Sequence, residues 1–357
     1  MTGPRPLSNL ASITPYQAGA PAEPGGHKLS SNENPLGCSP AAREAMIASA
    51  SSLEVYPDGG AFELRRAIGE VHGLDPDRLF IGAGSDEILQ LVCRAFLAPG
   101  DEVIKTKHGF IIYELAARQS GATVVNAPET QLTADCDAVL ECITDRTRII
   151  FLANPNNPTG TYVPFDEIKR LHGALRDDIL LVLDAAYAEY VRANDYAAGI
   201  ELAGAAPNVL MTRTFSKIHG LAALRVGWCY GPANVISVLN KVRGPFNVNA
   251  PALAAAAAAV RDGAFQAASA GHNESELARM TEGLTSLGFD VVPSVANFVL
   301  VRFADHAAAK DIDRFLQDRG IVLRRMEPYG LPESLRLSIG SVAANDAVLS
   351  AFAEWAG

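Results

Sequence analysis

Lysine is scarce in this chain: seven occur in 357 residues, at positions 28, 105, 107, 169, 217, 241 and 310. Basic residues are outnumbered throughout, with Lys+Arg 30 against Asp+Glu 40 and a formal net charge of −10. A surface of that sign repels phosphate backbones and anionic lipid, so nucleic acid and membrane surfaces are not expected as partners. The five cysteines, at 38, 93, 136, 142 and 229, are odd in number and form no CxxC or zinc-ligand spacing. That argues against a disulfide scaffold or a metal module and predicts reduced thiols, the cytoplasmic pattern. No uncharged run reaches the ~18 residues of a membrane span. The opening MTGPRPLSNL has prolines where a secretory signal would need an apolar stretch. Aromatic residues make up only 7%, yet hydrophobic residues reach 48% and charged ones 20%. These proportions build a buried core and exclude a disordered or collagen-like chain.

At roughly 150 residues per domain, a chain of this length predicts two domains. Apolar runs of strand length alternate with helical stretches between about residues 79 and 230. Strands are predicted at Leu79–Ile81, Glu102–Lys105, Thr123–Ala127, Ile149–Ala153, Leu180–Asp184, Val209–Thr212 and Val226–Tyr230. Continuous Val/Ile/Leu strands with helical crossovers indicate an α/β fold, its mainly parallel central sheet covered on both faces. Residues 1–45, rich in Pro, Gly, Ser and Asn, read as an extended arm and part of a small domain; residues 46–245 read as the large domain. Residues 246–357, opening on the alanine-rich stretch Pro251–Val260, read as a smaller α+β domain. No internal repeat is present.

In an open parallel sheet, ligands bind beyond the strand C-termini. Six of the lysines lie in surface-like polar settings, but Lys217 follows the strand Val209–Thr212. A lysine there is costly to desolvate unless it has work to do. Taken alone, it could snorkel to solvent from a loop. Other strand ends add to it. Asn154-Pro-Asn-Asn157-Pro-Thr-Gly160 closes one strand, and Leu180-Leu-Val-Leu-Asp184 ends the next, with Tyr187 three residues later. Gly84-Ser85-Asp86-Glu87 opens a helix, and Arg225 follows Lys217 by eight residues. Each has a bland alternative: Asp184 as a helix cap, Asn154–Gly160 as a loop, the Gly82–Asp86 segment as a plain turn. Together they suit a pyridoxal 5′-phosphate site. Lys217 supplies the amine for a Schiff base, Asp184 the carboxylate for the ring nitrogen, and Asn157 and Tyr187 the partners for the phenolate oxygen. Gly84, Ser85, Asp86, Thr214, Ser216 and Arg225 supply the amides, hydroxyls and cation that a phosphate needs.

The motifs Ser31-Asn-Glu-Asn-Pro-Leu-Gly37, Tyr56-Pro-Asp-Gly, Gly84–Glu87, Asn154–Gly160, Asp184-Ala-Ala-Tyr187, Thr214-Phe-Ser-Lys217, Gly220–Gly227 and Leu335-Arg336-Leu-Ser-Ile-Gly340 carry a resemblance over nearly the whole chain. It is to the aspartate-aminotransferase superfamily of fold type I pyridoxal-phosphate enzymes and, within it, the histidinol-phosphate aminotransferases. The resemblance implies a homodimer with shared sites, Tyr56 reaching the neighbour's cofactor phosphate and Phe110 stacking on the pyridine ring. It implies further that Tyr16, Asn297, Arg324 and Arg336 meet the substrate; whether Arg324 or Arg325 faces it stays open. The implied substrates are histidinol phosphate and glutamate or 2-oxoglutarate. An aromatic amino-acid aminotransferase is the nearest alternative, and a decarboxylase on the same scaffold a more distant one. The Asn157–Pro158 peptide is expected cis.

Overall fold

The computed structural model describes residues 3–11 and 13–357, so the first two residues of the expected arm, and Ser12, lie outside the described residues. The large domain is built on seven strands: β1 (Leu79–Gly82), β2 (Glu102–Thr106), β3 (Thr123–Ala127), β4 (Thr147–Ala153), β5 (Leu180–Asp184), β6 (Val209–Thr214) and β7 (Gly227–Tyr230). Their order is β1-β7-β6-β5-β4-β2-β3, parallel except for β7, which runs antiparallel between β1 and β6. A hairpin-like return through the Lys217 loop makes β7 antiparallel, whereas the other crossovers are helical.

Alternation along these strands divides the core in two. Ile81, Ile104, Ile150, Leu181, Met211 and Trp228 face one layer. Phe80, Val103, Phe151, Val182, Leu210 and Cys229 face the other, against α3 (Ser85–Phe96) and α4 (Ile111–Gln119). The first layer is covered by α1 (Pro40–Ser49), α2 (Phe62–His72) and α5 (Ala250–Arg261). Here the domain limits differ from the sequence reading. The alanines of α5 bury Ala252, Ala255, Ala256 and Ala259 in the large-domain core, so the small domain begins near residue 263 rather than 246. Likewise α1 belongs to the large domain, with Ala42 in that core, so the arm ends at Ser39 and not at 45. Alanine allows close helix packing but carries no large side chain that would mark its partner in the sequence.

The small domain places α6 (Gly263–Ser286) and α7 (Val342–Ala356) against an antiparallel sheet. That sheet has the order β8 (Asp290–Val292), β9 (Phe298–Arg302), β11 (Ser334–Ser338), β10 (Arg324–Arg325). The arm joins the small domain through a separate two-stranded sheet, in which His27–Lys28 pairs in parallel with Ile321–Val322. Among the described residues, no helix is long and apolar enough to cross a membrane. One contact locks the arm to the Lys217 loop. Gly220 has φ +67°, and a Cβ there would lie 1.7 Å from the Gly37 carbonyl oxygen.

Gly220→Ala is therefore expected to lose about 2–4 kcal/mol from backbone strain and overpacking combined. Gly271→Ala, inside α6 with open space around it, is expected to hold or gain stability. Urea midpoints of the two variants against the parent check both.

Candidate active site

Even-numbered residues of β5 and β6 share the face toward α3 and α4, so Asp184, Thr212 and Thr214 emerge side by side at the sheet's C-terminal edge. Arg213 turns the other way and pairs with Glu189 at 2.7 Å. Asp184 is buried at 6% exposure, and each of its oxygens accepts a hydroxyl. Tyr113 donates to Oδ2 at 2.7 Å and Thr212 Oγ1 to Oδ1 at 3.0 Å. Burial pushes the carboxyl up to about 6, against the pull of those two donors.

Beyond β6 the chain turns into the Lys217 loop, held by the buried side chains of Phe215 and Ile218 on either side of the lysine. Lys217 is half-buried; its Nζ donates to the Ser31 carbonyl at 3.0 Å. Loss of water around the amine, and then the nearby Arg336 guanidinium, push it down to about 8. The other lysines do not all sit at the surface as expected: Lys105 is 5% exposed and donates to the carbonyls of Thr106 and Lys107. A lysine's flexible stem can fold inward wherever backbone carbonyls receive it.

An anion cradle adjoins Lys217. Gly84 is the N-cap of α3 with φ +82°, followed by Ser85 and Asp86 in the first turn. Arg225, itself at φ +52°, donates to Ser216 Oγ and to Asp86 Oδ2, both at 3.2 Å. A Cβ on Gly84 would meet the Arg225 guanidinium at 2.5 Å, so only glycine leaves the approach open. Helix amides, the hydroxyls of Ser85, Thr214 and Ser216, and a cation together suit a phosphate. The Asp86 carboxylate in this cradle opposes an anion, and Arg225 pairs with it at 3.2 Å.

Across the cavity stands the small domain. Arg336, 5% exposed, donates to the Ser30 carbonyl at 2.9 Å and to Asn157 Oδ1, while its buried Nε has no partner among the described residues. Arg324 lies opposite Arg336 in the β10–β11 register, so both face one side. Its guanidinium stands 5.8 Å from the Tyr16 ring centre and donates to the Gln17 carbonyl. Arg325 turns away to Asp313, so Arg324 is the one at the cavity. Asn157 comes from the turn after β4, braced by mutual bonds between Asn154 and Val163; its peptide to Pro158 is cis, as is Asn154–Pro155.

These groups enclose a cavity of about 240 Å³. Ser85, Asp86, Phe110, Asn157, Asp184, Tyr187, Thr214, Ser216, Lys217, Arg225, Tyr16, Arg324 and Arg336 all line it. Three expected residues do not. Gly84 sits just behind, shaping the cradle. Asn297 lies 1% exposed behind the arm, its amide donating to the Asn32 carbonyl, so it supports the wall instead of facing a substrate. Tyr56 is 79% exposed and stacks on Phe246 at 4.7 Å, away from this chain's own cavity. The sequence reading missed Tyr113, Thr212, Tyr329 and Asn32, whose amide donates to the Tyr187 hydroxyl at 2.9 Å. Thr212 was legible by period, two residues before Thr214 on one face; Tyr329 carried no such signal.

Comparison with known proteins agrees with this geometry. The model for aminotransferase class I and II matches residues 25–352. A histidinol-phosphate aminotransferase of Paramagnetospirillum magneticum is 52% identical over 362 residues, covering 100% of both chains. One from Rhodopseudomonas palustris is 50% identical over 361 residues, covering 99% of each. Among solved structures, histidinol-phosphate aminotransferase from Sinorhizobium meliloti, in complex with pyridoxal-5′-phosphate, is similar with a TM-score of 0.92 at 26% identity, covering 99% of this chain and 98% of that one. An aspartate aminotransferase of Thermus thermophilus shares the fold, with a TM-score of 0.85. With a sheet edge that gathers an amine, a carboxylate and a phosphate cradle, and with relatives matching from end to end, this chain belongs to the aminotransferase class I and II family.

Proposed function

We propose that this protein moves an amino group between histidinol phosphate and 2-oxoglutarate, using pyridoxal 5′-phosphate held at Lys217. One observation carries the reading: the Lys217 amine and the Asp184 carboxylate face one cavity whose far wall holds Arg324 and Arg336. Full-length identity of 50% to relatives bearing that activity in their name supports it. The residues fit the cofactor. The glycine at position 84 lets the Arg225 guanidinium close on the first turn of α3, Asp184 stands ready for a ring nitrogen, and Phe110 offers an aromatic face.

When bound, the cofactor supplies a carbonyl carbon for amine exchange and an electron-withdrawing ring that lowers the cost of charge at the substrate Cα. The chain's own groups do the rest. Lys217 Nζ, as free base, accepts the Cα proton and later returns one. Its lowered pKa of about 8 leaves roughly a tenth of the amine free at pH 7, against well under a thousandth at the ordinary 10.5. Arg225, Ser216 and the first turn of α3 anchor the phosphate, and Tyr187 with Asn157 orient the ring oxygen. Arg336 has an unpartnered buried Nε, so an arriving anion gives it an acceptor that the protein does not. Histidinol phosphate has no α-carboxylate; the two arginines and Tyr16 would hold its phosphate. The same guanidiniums suit the carboxylates of 2-oxoglutarate, because both anions accept a bidentate fork.

A homodimer completes this reading. Tyr56 and Phe246 form an exposed aromatic pair, and Ile47, Leu53, Val55 and Phe62 on neighbouring segments are each more than 60% exposed, against 44% for Phe246. Such a patch signals a partner surface, and on this reading Tyr56 would complete a second copy's phosphate cradle.

Five outcomes test the proposal. In a panel of histidinol phosphate, phenylalanine and tyrosine, histidinol phosphate is expected to have the highest kcat/KM; preference for an aromatic amino acid would hand the function to that alternative. Arg324→Ala is expected to lower kcat/KM for histidinol phosphate by roughly tenfold to a hundredfold, the worth of one charge-assisted bond, and to hurt phenylalanine less. Arg336→Ala should impair 2-oxoglutarate as well. In the cofactor-free protein, amine labelling of Lys217 is expected to rise with a midpoint near pH 8. The sign is fixed by the lowered pKa: proton loss and reactivity come earlier than the ordinary 10.5. Finally, mixing Lys217→Ala with Tyr56→Ala chains should restore activity, since one hybrid site then holds both residues. No rescue in mixtures shown to exchange subunits would reject the shared site.

A further inference from the structure

We propose that Tyr113 is a positioning residue of this site: with Thr212 it holds the Asp184 carboxylate ionised and aimed, so that a bound cofactor ring keeps its nitrogen protonated. The inference rests on the cofactor reading above and adds a residue that the sequence motifs did not mark.

The case begins with what surrounds Asp184. No cation is hydrogen-bonded or ion-paired to it among the described residues, and the Asp86 carboxylate disfavours its charge. Burial favours the neutral acid as well. A neutral acid would leave a pyridine nitrogen without its counter-charge, and the ring would draw electrons poorly. What opposes burial is a set of donors: the Tyr113 hydroxyl on Oδ2 at 2.7 Å, the Thr212 hydroxyl on Oδ1 at 3.0 Å, and the Ala186 backbone amide. Two of the three are side chains. Each oxygen receives one of these hydroxyls, which fixes the carboxylate plane as well as its charge.

Tyr113 is placed to do this and little else. It is 1% exposed, and its ring lies on Phe151 with centres 4.7 Å apart and planes 6° from parallel. Phe110, one helical turn earlier on the same side of the chain, meets it edge-on at 5.7 Å. Tyr113 thus touches both Asp184 and the aromatic proposed to stack on the ring. Its own hydroxyl is pushed well above the ordinary tyrosine range by burial and by Asp184, so it stays a donor at every working pH. A core tyrosine needs its ring for packing; the hydroxyl is the part that packing does not require.

Tyr113→Phe separates the two roles, because it keeps the ring and removes only the donor; Thr212→Val does the same from the other oxygen. Each variant and the parent are loaded with pyridoxal 5′-phosphate enriched in ¹⁵N at the ring nitrogen. The ¹⁵N resonance, cofactor affinity, melting of the cofactor-free protein, kcat and KM are then measured at one pH. In Tyr113→Phe the resonance is expected to move toward that of a neutral pyridine. kcat should fall about tenfold, as one lost charge-assisted bond implies, with KM and the melting midpoint near the parent's. Thr212→Val should shift both in the same direction. A ring nitrogen that stays protonated in both variants overturns the proposal, even if kcat falls, because the loss would then be structural. Wild-type kcat in Tyr113→Phe overturns it too. If the parent protein fails to load cofactor on Lys217, the cofactor reading itself falls, which is a different result from a loaded enzyme indifferent to Tyr113.

Discussion

The site depends on keeping two costly charges in one cavity without letting them pair. Asp184 and Lys217 both lose water at the C-terminal edge of the sheet, yet neither bonds to the other. Asp184 is held by hydroxyls from β6 and α4, Lys217 by a carbonyl of the arm. Had they paired, each would have settled the other's charge and left nothing to offer a ligand. The sheet enforces the separation. Asp184 ends β5 and faces one layer, while Lys217 hangs from a loop beyond β6 that buried Phe215 and Ile218 clamp from both sides.

Around that pair, three parts of the chain contribute different kinds of chemistry. The large domain provides rigid strand ends and one helix terminus. The small domain provides cations, presented from a short antiparallel ladder in which Arg324 and Arg336 stand opposite each other. The arm provides backbone carbonyls: Ser30 for Arg336 and Ser31 for Lys217. A segment of regular strand or helix would have spent those carbonyls on its own ladder. An extended arm has them free, which is the physical reason the wall is built from irregular chain.

Much of this was legible in the sequence, and the limits of legibility have physical causes. The strands announced themselves because buried parallel strands are continuous apolar runs, and Asp184, Asn157, Lys217 and Arg225 stood out as polar groups at their ends. The direction of β7 was not legible, since its composition matches that of its parallel neighbours. The alanine helix was assigned to the wrong domain because alanine packs anywhere that space is tight. Asn297 was expected at the substrate and lies behind the arm; its motif named a position, while the side chain's direction follows from the fold. Tyr113 resembled any core aromatic of α4, because its partner, Asp184, is 71 residues away.

The bond from Lys217 to Ser31 spans 186 residues, and the Gly220–Gly37 approach spans nearly as many. Contacts so distant along the chain close large loops, and their ordering cost is recovered only when the intervening sheet is assembled. The sheltering of the amine thus depends on the assembled large domain and on the arm laid across it. In an unfolded chain it would be a solvated lysine of ordinary basicity. The lowered basicity of Lys217 is therefore a property of the assembled fold and not of the local sequence around it.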